Sequence, residues 1–417
     1  MPLSLVMTLQ SGYSFKSSAW TNTGCPVARI GDIKSTGLRR EAMVCVDSRT
    51  AAEAASFTLS PGDVLVAMTG EVGHVAFVQE QDLPMLVNQR VGLVRFSPNS
   101  PVVSSRFLYY LCLLPATKQQ FVALAHGSVQ PNLSAGAISN VLVPLPPPAE
   151  QQAIAEVLGT LDDKIEANGQ LRAVCTSLLR ATFERLARPG LMAVASGSDL
   201  PSGWLRGPLD KWLDVLETGS RPRGGVSKYK HGVPSLGAES VSGLAVFDYS
   251  KTKYVPEDYF ASMRRGIVQN CDVLLYKDGG RPGQFEPHVA MLGEGFPFST
   301  LCINEHVYRL RARAPMTQEY LFCWLSSAPM LEEMRRRGTG VAIPGLNSSA
   351  VKALPAGFPA NGETAEFSAL ATDLVKQALS SAKEDRLLAE LRDTLLPPLL
   401  CGELRVHDAE ALVEGAV

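Results

Sequence analysis

The chain predicts an α+β protein: two globular domains in pseudo-symmetric tandem repeat, joined and spaced by two long antiparallel coiled-coil helices. Two observations carry this. Blocks of similar pattern recur in the same order in both halves, and each half ends in a long stretch of apolar residues spaced at steps of three and four. The expected boundaries are 1–148 for the first domain and 149–188 for the central helix. The second domain is expected over 189–361, opening with a linker at 189–203, and the second helix and tail over 362–417.

The repeat is legible block by block. GYSFKSSAWTNTGCPVARIGDI (12–33) aligns with GSRPRGGVSKYKHGVPSLGAESV (219–241). Both give Gly, polar and basic residues, an aromatic (Trp20, Tyr229), a Gly-to-Pro turn and a short apolar strand. GDVLVAMTGEVGHVAFV (62–78) and CDVLLYKDGGRPGQFEPHVAML (271–292) each pair an Asp-Val-Leu strand with a glycine-rich turn and a second β-branched strand, the pattern of a hairpin. VNQRVGLVRF (87–96) then matches INEHVYRLRA (303–312). Finally FLYYLCLLPATKQQFVALAHGSVQPNLS (107–134) matches YLFCWLSSAPMLEEMRRRGTGVAIPGLN (320–347), apolar helices followed by a Gly- and Pro-containing loop. The second copy has a lead-in, LPSGWLRGPLDKWLDVLETGS (200–220), that the first largely lacks before Gly12. The first copy is therefore expected to start late or truncated.

The first long helix is expected to open at PLPPPAEQQAIAEVL, where prolines stop the preceding strand and Glu150 suits the positive end of the helix dipole. Its apolar positions are Ile154, Leu158, Leu161, Ile165, Cys175 and Leu179, interrupted by Asn168 and Arg172. The second helix offers Phe367, Leu370, Leu374, Leu388, Leu391 and Leu395, interrupted by Gln377 and Ser381. Either stripe alone reads as a core helix. Two stripes at equivalent ends of two repeats favour a seam in which the helices pair with each other. A segment of about 38 residues makes a rod of roughly 57 Å, longer than one B-DNA turn of about 34 Å.

Composition narrows the function classes. The 417 residues are 46% hydrophobic and 19% charged with a formal net charge of -2, so no overall basic balance announces a nucleic-acid partner. A local basic field remains possible on any one face. The eight cysteines are scattered with no CxxC, which points to free thiols in a reducing cytoplasm rather than disulfides or zinc. No signal-peptide pattern opens the chain, and no apolar run approaches the roughly 20 residues of a membrane span. The expectation is a cytoplasmic protein with no membrane association.

Catalytic signatures are missing from the sequence: no GxxxxGK[ST], HExxH, GxSxG or zinc-deaminase pattern, and no NPPY-type stretch. Asp63 and Glu71 flank a turn, but no Glu-x-Lys follows to complete a nuclease set. No catalytic residue, metal site or cofactor is expected in this chain. Basic and amide side chains do cluster in the loops that the repeat predicts. In the first half they are Lys16, Arg29, Lys34, Arg39, Arg40, Arg90, Gln130 and Asn132. In the second they are Arg221, Arg223, Lys228, Lys230, Lys277, Arg281 and Gln284, then Arg335, Arg336, Arg337 and Thr339. Arg suits guanine edges, Asn and Gln suit adenine, and Lys, Ser or Thr suit phosphates. Each alone reads first as a solvated surface group, and the Arg335–Arg337 run is equally a solvated helix end. Repetition in equivalent loops is what suggests a binding face.

At this point the residues resemble a known family. Pro144-Leu145-Pro146-Pro147-Pro148-Ala149-Glu150-Gln151-Gln152-Ala153-Ile154, continuing to Leu161-Asp162-Asp163-Lys164-Ile165, is similar to the start of the central conserved region of type I restriction–modification specificity subunits. GSVQPNLS before it resembles the end of their first target-recognition domain. Leu391-Arg392-Asp393-Thr394-Leu395-Leu396-Pro397-Pro398-Leu399-Leu400-Cys401-Gly402-Glu403-Leu404 resembles their C-terminal signature. The resemblance implies a non-catalytic subunit that reads a split, asymmetric double-stranded DNA sequence with two recognition domains. It implies a scaffold for two adenine-N6 methyltransferase subunits, and for restriction subunits in the full complex. S-adenosylmethionine and base flipping then belong to the methyltransferase partner. One departure is that the second block, GFPANGETAEFSAL (357–370), has lost the PLPP and EQ residues. Two other readings stay open: a self-sufficient enzyme with cryptic motifs, and a protein-binding coiled-coil scaffold whose heads do not read DNA.

Overall fold

The computed structural model describes residues 1–34, 37–38, 43–97, 100–126, 131–138, 140–281, 283–340, 344–360 and 363–417. The chain forms two compact units, Met1–Lys164 with Leu388–Val417, and Ile165–Leu387.

In the first unit the alternating and continuous apolar runs become strands β1 (Met7–Ser11), β2 (Cys25–Ala28), β3 (Cys45–Val46), β4 (Val64–Ala67), β5 (Val75–Phe77), β6 (Leu86–Val87) and β7 (Val91–Phe96). They are followed by helices α1 (Ser105–Leu113) and α2 (Pro115–Leu124), and then by the long helix α3 (Pro148–Ser196). The main sheet has the order β1-β7-β4-β5, all antiparallel, with Gln10 opposite Leu93 and Leu65 opposite both Leu93 and Ala76. A smaller sheet places β2 antiparallel to β3 and parallel to β6. Every residue of β4 is buried, so this strand is central on both faces and its sequence is a continuous apolar run rather than an alternation.

The second unit repeats the plan with β8 (Leu213–Thr218), β9 (Val233–Leu236), β10 (Tyr254–Val255), β11 (Val273–Tyr276), β12 (Val289–Met291), β13 (Cys302–Ile303) and β14 (Val307–Ala312). Helices α4 (Gln318–Ser326) and α5 (Ala328–Arg337) follow, and the chain then enters the long helix α6 (Glu363–Leu400). The main-sheet order is β8-β14-β11-β12, extended by Gly243–Leu244, and the small sheet again sets its first strand antiparallel to one neighbour and parallel to the other. α1 and α4 are capped alike. The Ser104 hydroxyl accepts from Phe107 N at 3.1 Å, and the Thr317 hydroxyl accepts from Tyr320 N at 3.3 Å.

The glycines repeat for a backbone reason. Gly24 and Gly232 have φ of +125° and +128°, and a Cβ on either would stand 2.2 Å from the carbonyl oxygen of Val46 or Val255. A Cβ on Gly12 or Gly219 would likewise strike the Val87 or Ile303 carbonyl. The repeat also begins earlier than the sequence comparison placed it. Met7 opposite Phe96 corresponds to Leu213 opposite Ala312, so Pro2-Leu3 matches Pro208-Leu209. Pro2 bridges Leu142 as Pro208 bridges Pro355. By the same register Met1, which exchanges hydrogen bonds with Val143, matches Gly207, which pairs with Ala356.

The long helices differ from expectation in phase and extent. α3 runs through Pro189 to Ser196, so the expected linker starts as helix; Leu191, Ala193 and Val194 are buried, and Gly190 lies against the Trp204 ring. Of its expected seam residues, Ile154, Leu158, Leu161, Cys175 and Leu179 are buried and Ile165 is half-buried. Phe183 and Ala187 continue that stripe in the second unit. On α6, Phe367, Leu388 and Leu395 are buried, whereas Leu374 and Leu391 are half-buried and Leu370 is 39% exposed. The buried face there is Phe367, Ala371, Val375, Ala378, Leu379 and Ala382. Small alanines, invisible to a search for large apolar residues, carry the phase and leave Leu370 on the flank. Within the second unit the helices run antiparallel: Phe183 meets Phe367 at 5.8 Å between ring centroids, and Asn168 bonds Asp385 at 2.9 Å.

Candidate nucleic-acid interface

One rim of each domain gathers the turn after the central strand, the loop entering the last strand and the late Pro-containing loop. In the first domain, Met68 N donates to Arg90 O at 3.2 Å and Leu133 N donates to Met68 O at 2.7 Å. Thr69 bridges Asn132, and Asn132 exchanges backbone hydrogen bonds with His126. The Asn88 amide oxygen accepts from Arg90 N at 3.3 Å, an Asx-type turn that fixes the backbone from which the Arg90 side chain projects. Arg90 is exposed and makes no ion pair among the described residues. Lys34 joins the same rim through Glu71, whose carboxylate lies 3.5 Å from Lys34 Nζ and 3.4 Å from His74 Nδ1. Burial, helped by the Lys118 charge, holds the His74 imidazole below its ordinary pKa.

The second domain reproduces this backbone bond for bond. Lys277 N donates to His306 O at 3.0 Å, Leu346 N donates to Lys277 O at 2.8 Å, and Asp278 bridges Gly345. Thr339 and Gly345 exchange hydrogen bonds as His126 and Asn132 do, and the Asn304 amide oxygen accepts from His306 N at 2.9 Å. Thus Lys277 stands where Met68 does, Asp278 where Thr69 does and His306 where Arg90 does. Lys277 Nζ donates to Glu305 O at 3.2 Å, and Arg221 Nε lies 2.5 Å from the Glu305 carboxylate.

The remaining candidates divide. Asn132, Arg223, Lys228, Lys230, Gln284 and Thr339 are exposed, with Lys228 lying 4.9 Å over the Tyr229 ring, and Lys16 is exposed beside the short turn Ser17–Ala19. Arg29 leans on Asp32 at 3.5 Å. Arg39, Arg40 and Gln130 lie outside the described residues, as does the side chain of Arg281. Arg337 is not free to reach a ligand: its guanidinium donates to Glu333 at 2.6 Å and to Ala353 O at 2.8 Å. Arg335 pairs with Glu332 at 3.0 Å and Arg336 pairs with Glu333. The run is a helix end whose charges are neutralised one turn back, which is the less functional of the two readings. Sequence reasoning passed over His306, found only by laying the two registers side by side. It also passed over Arg264 and Arg265, exposed just before Gly266, whose backbone approaches Gly219.

Asp63 is accounted for without catalysis. Its carboxylate accepts from Ser60 N at 2.8 Å and from Arg95 at 2.5 Å. Asp272, fully buried, does the same with Gln269 N at 2.7 Å, Arg311 at 2.9 Å and Arg309. Among the described residues no group of His, Cys, Asp and Glu is arranged to hold a metal ion. No helix among them is long and apolar enough to cross a membrane.

The signature-like blocks acquire physical roles. Gln151 is fully buried; its amide oxygen accepts from Val103 N at 3.1 Å and its nitrogen donates to Pro101 O at 3.1 Å and Pro146 O at 2.9 Å, pinning the start of α3 to the first domain. Asp162 accepts from the Tyr110 hydroxyl and from Arg392, both at 2.7 Å. Arg106 grips Asp163 with two bonds at 3.0 and 2.5 Å. Burial opposes the charge on Arg392, but the Asp162 carboxylate more than offsets it and holds the guanidinium above its ordinary pKa. The central block and the C-terminal block are therefore joined by a buried ion pair.

These features define a tandem-duplicated α+β module on paired helices, with loop rims built alike in both copies. The model of the type I restriction modification DNA specificity domain matches residues 2–175, and the second half repeats the fold of the matched segment. A type I restriction enzyme MjaIX specificity subunit of Methanocaldococcus jannaschii is 23% identical over 356 residues, covering 83% of this chain and 78% of that protein. The HindI specificity subunit of Haemophilus influenzae is 21% identical, covering 83% and 87%. The EcoBI specificity subunit of Escherichia coli is 29% identical across 39% of this chain and 32% of that one. The crystal structure of a type I restriction–modification S subunit from M. genitalium shares the fold with a TM-score of 0.51 at 14% identity, covering 96% of this chain and 95% of that one. Residues 2–175 thus match the type I restriction modification DNA specificity domain, and most of the chain is similar to specificity subunits of type I restriction enzymes.

Proposed function

We propose that this chain is the DNA-specificity subunit of a type I restriction–modification complex, itself non-catalytic, in which each domain reads one half of a split, asymmetric target. The observation that carries the reading is the pair of rims with one backbone plan and different side chains. A shared frame would dock on a duplex in a shared way, while Arg90, Lys34 and Asn132 in one copy, and Arg221, Lys277, Lys228 and Gln284 in the other, would read different bases or phosphates. The long helices would scaffold two methyltransferase subunits and, in the full complex, restriction subunits. S-adenosylmethionine would be held by the methyltransferase, which also flips the target adenine. A cytoplasmic location goes with this role.

The test is expression of the chain beside its methyltransferase, with methylated adenines mapped by long-read sequencing. A new bipartite motif that disappears when this gene is deleted supports the proposal. Association with the methyltransferase without any new motif, and with DNA binding that ignores salt, would instead favour a protein-binding scaffold, because phosphate contacts make DNA affinity fall steeply with salt.

A further inference from the structure

The two rims share their backbone but differ in one titratable position. Where the first domain projects Arg90, the second places His306 in a charged cluster. His306 Nδ1 lies 2.6 Å from the Asp278 carboxylate, and Nε2 lies 3.3 Å from Arg221 Nη2 and 3.6 Å from the Glu305 carboxylate. Lys277 Nζ completes the ring of charges, 3.8 Å from Asp278. The Tyr276 and Tyr308 hydroxyls of the adjoining strands also feel Asp278. This arrangement fixes the tautomer. Nδ1–H donates to Asp278, so in the neutral ring Nε2 carries the lone pair and accepts from Arg221.

A proton on Nε2 changes three things at once. The Arg221 donor loses its acceptor, the ring gains a donor facing Glu305, and the cluster of Lys277, Arg221, Asp278 and Glu305 passes from balanced charge to a net positive one. The Glu305 oxygen that Nε2 faces, Oε1, already lies 2.5 Å from Arg221 Nε, while Oε2 has no hydrogen-bond partner among the described residues. His306, Arg221 and Glu305 are all about one-third or more exposed, so the added charge faces solvent at the rim. We infer that His306 is a proton-regulated DNA contact of the second domain, occupying the register position at which the first domain keeps a permanent cation. The inference rests on the DNA-reading role proposed above. A proton gained at Nε2 adds positive charge to the rim, so the second domain would grip phosphate more firmly as pH falls while the first would not change at this position.

The experiment uses the full chain and a mixed-sequence DNA duplex, with dissociation constants measured at several salt concentrations at pH 8 and pH 6. The expected result is about threefold to tenfold tighter binding at pH 6, with the slope of log affinity against log salt steeper by about 0.9, one extra phosphate neutralised. His306→Gln should remove both changes, and His306→Arg should bind at pH 8 as the wild type does at pH 6. If His306→Gln, folded by circular dichroism, keeps the full pH response, the inference is overturned while DNA binding stands. If the wild-type chain binds no duplex at either pH, the DNA-reading role fails and takes this inference with it.

Discussion

The ion pair between Asp162 and Arg392 offers the sharpest physical test of how the two long helices are held in the first unit. The perturbation is Arg392→Met, which keeps the length of the side chain and removes its charge. The two side chains are only 17% and 11% exposed, and Nη1 sits 2.7 Å from Oδ1. At an effective dielectric of about 20, unit charges about 4 Å apart attract by about 4 kcal/mol. Removing one member of such a pair typically costs about 3–5 kcal/mol, because the partner is left buried and uncompensated. Asp162 retains the Tyr110 hydroxyl, so the lower end, about 3 kcal/mol, is expected. For a unit of this size that lowers the melting temperature by roughly 6–12 °C. Calorimetry of the full chain, with hydrogen exchange in residues 148–164 to identify the transition, measures it. A cycle with Asp162→Asn should return a coupling of about 2 kcal/mol that survives high salt, since buried pairs are poorly screened. A melting shift under about 2 °C, or a coupling near zero, would refute the claim that this pair joins the two helices.

Other expectations follow from the same geometry. Asp272→Ala should destabilise the second unit by about 3 kcal/mol in urea titration, since it removes one of the two carboxylates that hold the buried Arg309 guanidinium and leaves only Glu217 at 2.8 Å; a variant of unchanged stability would reopen a chemical role for the residue. Gly232→Ala should cost at least about 1–3 kcal/mol, because its φ of +128° and the nearby Val255 carbonyl leave no room for a Cβ; equilibrium unfolding measures the cost. His74 is held below its ordinary pKa by burial, so the unfolded chain takes up that proton first. Stability should therefore fall as pH drops below about 6.5, and His74→Gln should flatten that fall in the first unit's unfolding midpoint. Arg90→Ala should reduce the salt slope of DNA binding by about 1 if the side chain meets a phosphate, or relax one position of the methylation motif if it meets a base.

The sequence by itself determined the repeat, the strand and turn pattern of each copy, and the presence of two long helices. These depend on local rules: apolar period, proline stops, and glycines where the backbone allows no Cβ, as at Gly24 and Gly232. Tertiary structure decided what those rules cannot reach. Asp162 and Arg392 are 230 residues apart in the chain, and no local pattern pairs them. The phase of α6 rests on Ala371, Ala378 and Ala382, whose smallness hides them from hydrophobic periodicity while Leu370 draws attention and faces out. Arg337 stood equally for a binding side chain and for a solvated helix end until Glu333 and the Ala353 carbonyl were found to hold its guanidinium. His306 carried no signal until sheet register set it on Arg90. In each case the decisive quantity is which side chains long-range strand and helix registers bring within a few ångströms, and a one-dimensional pattern does not contain it.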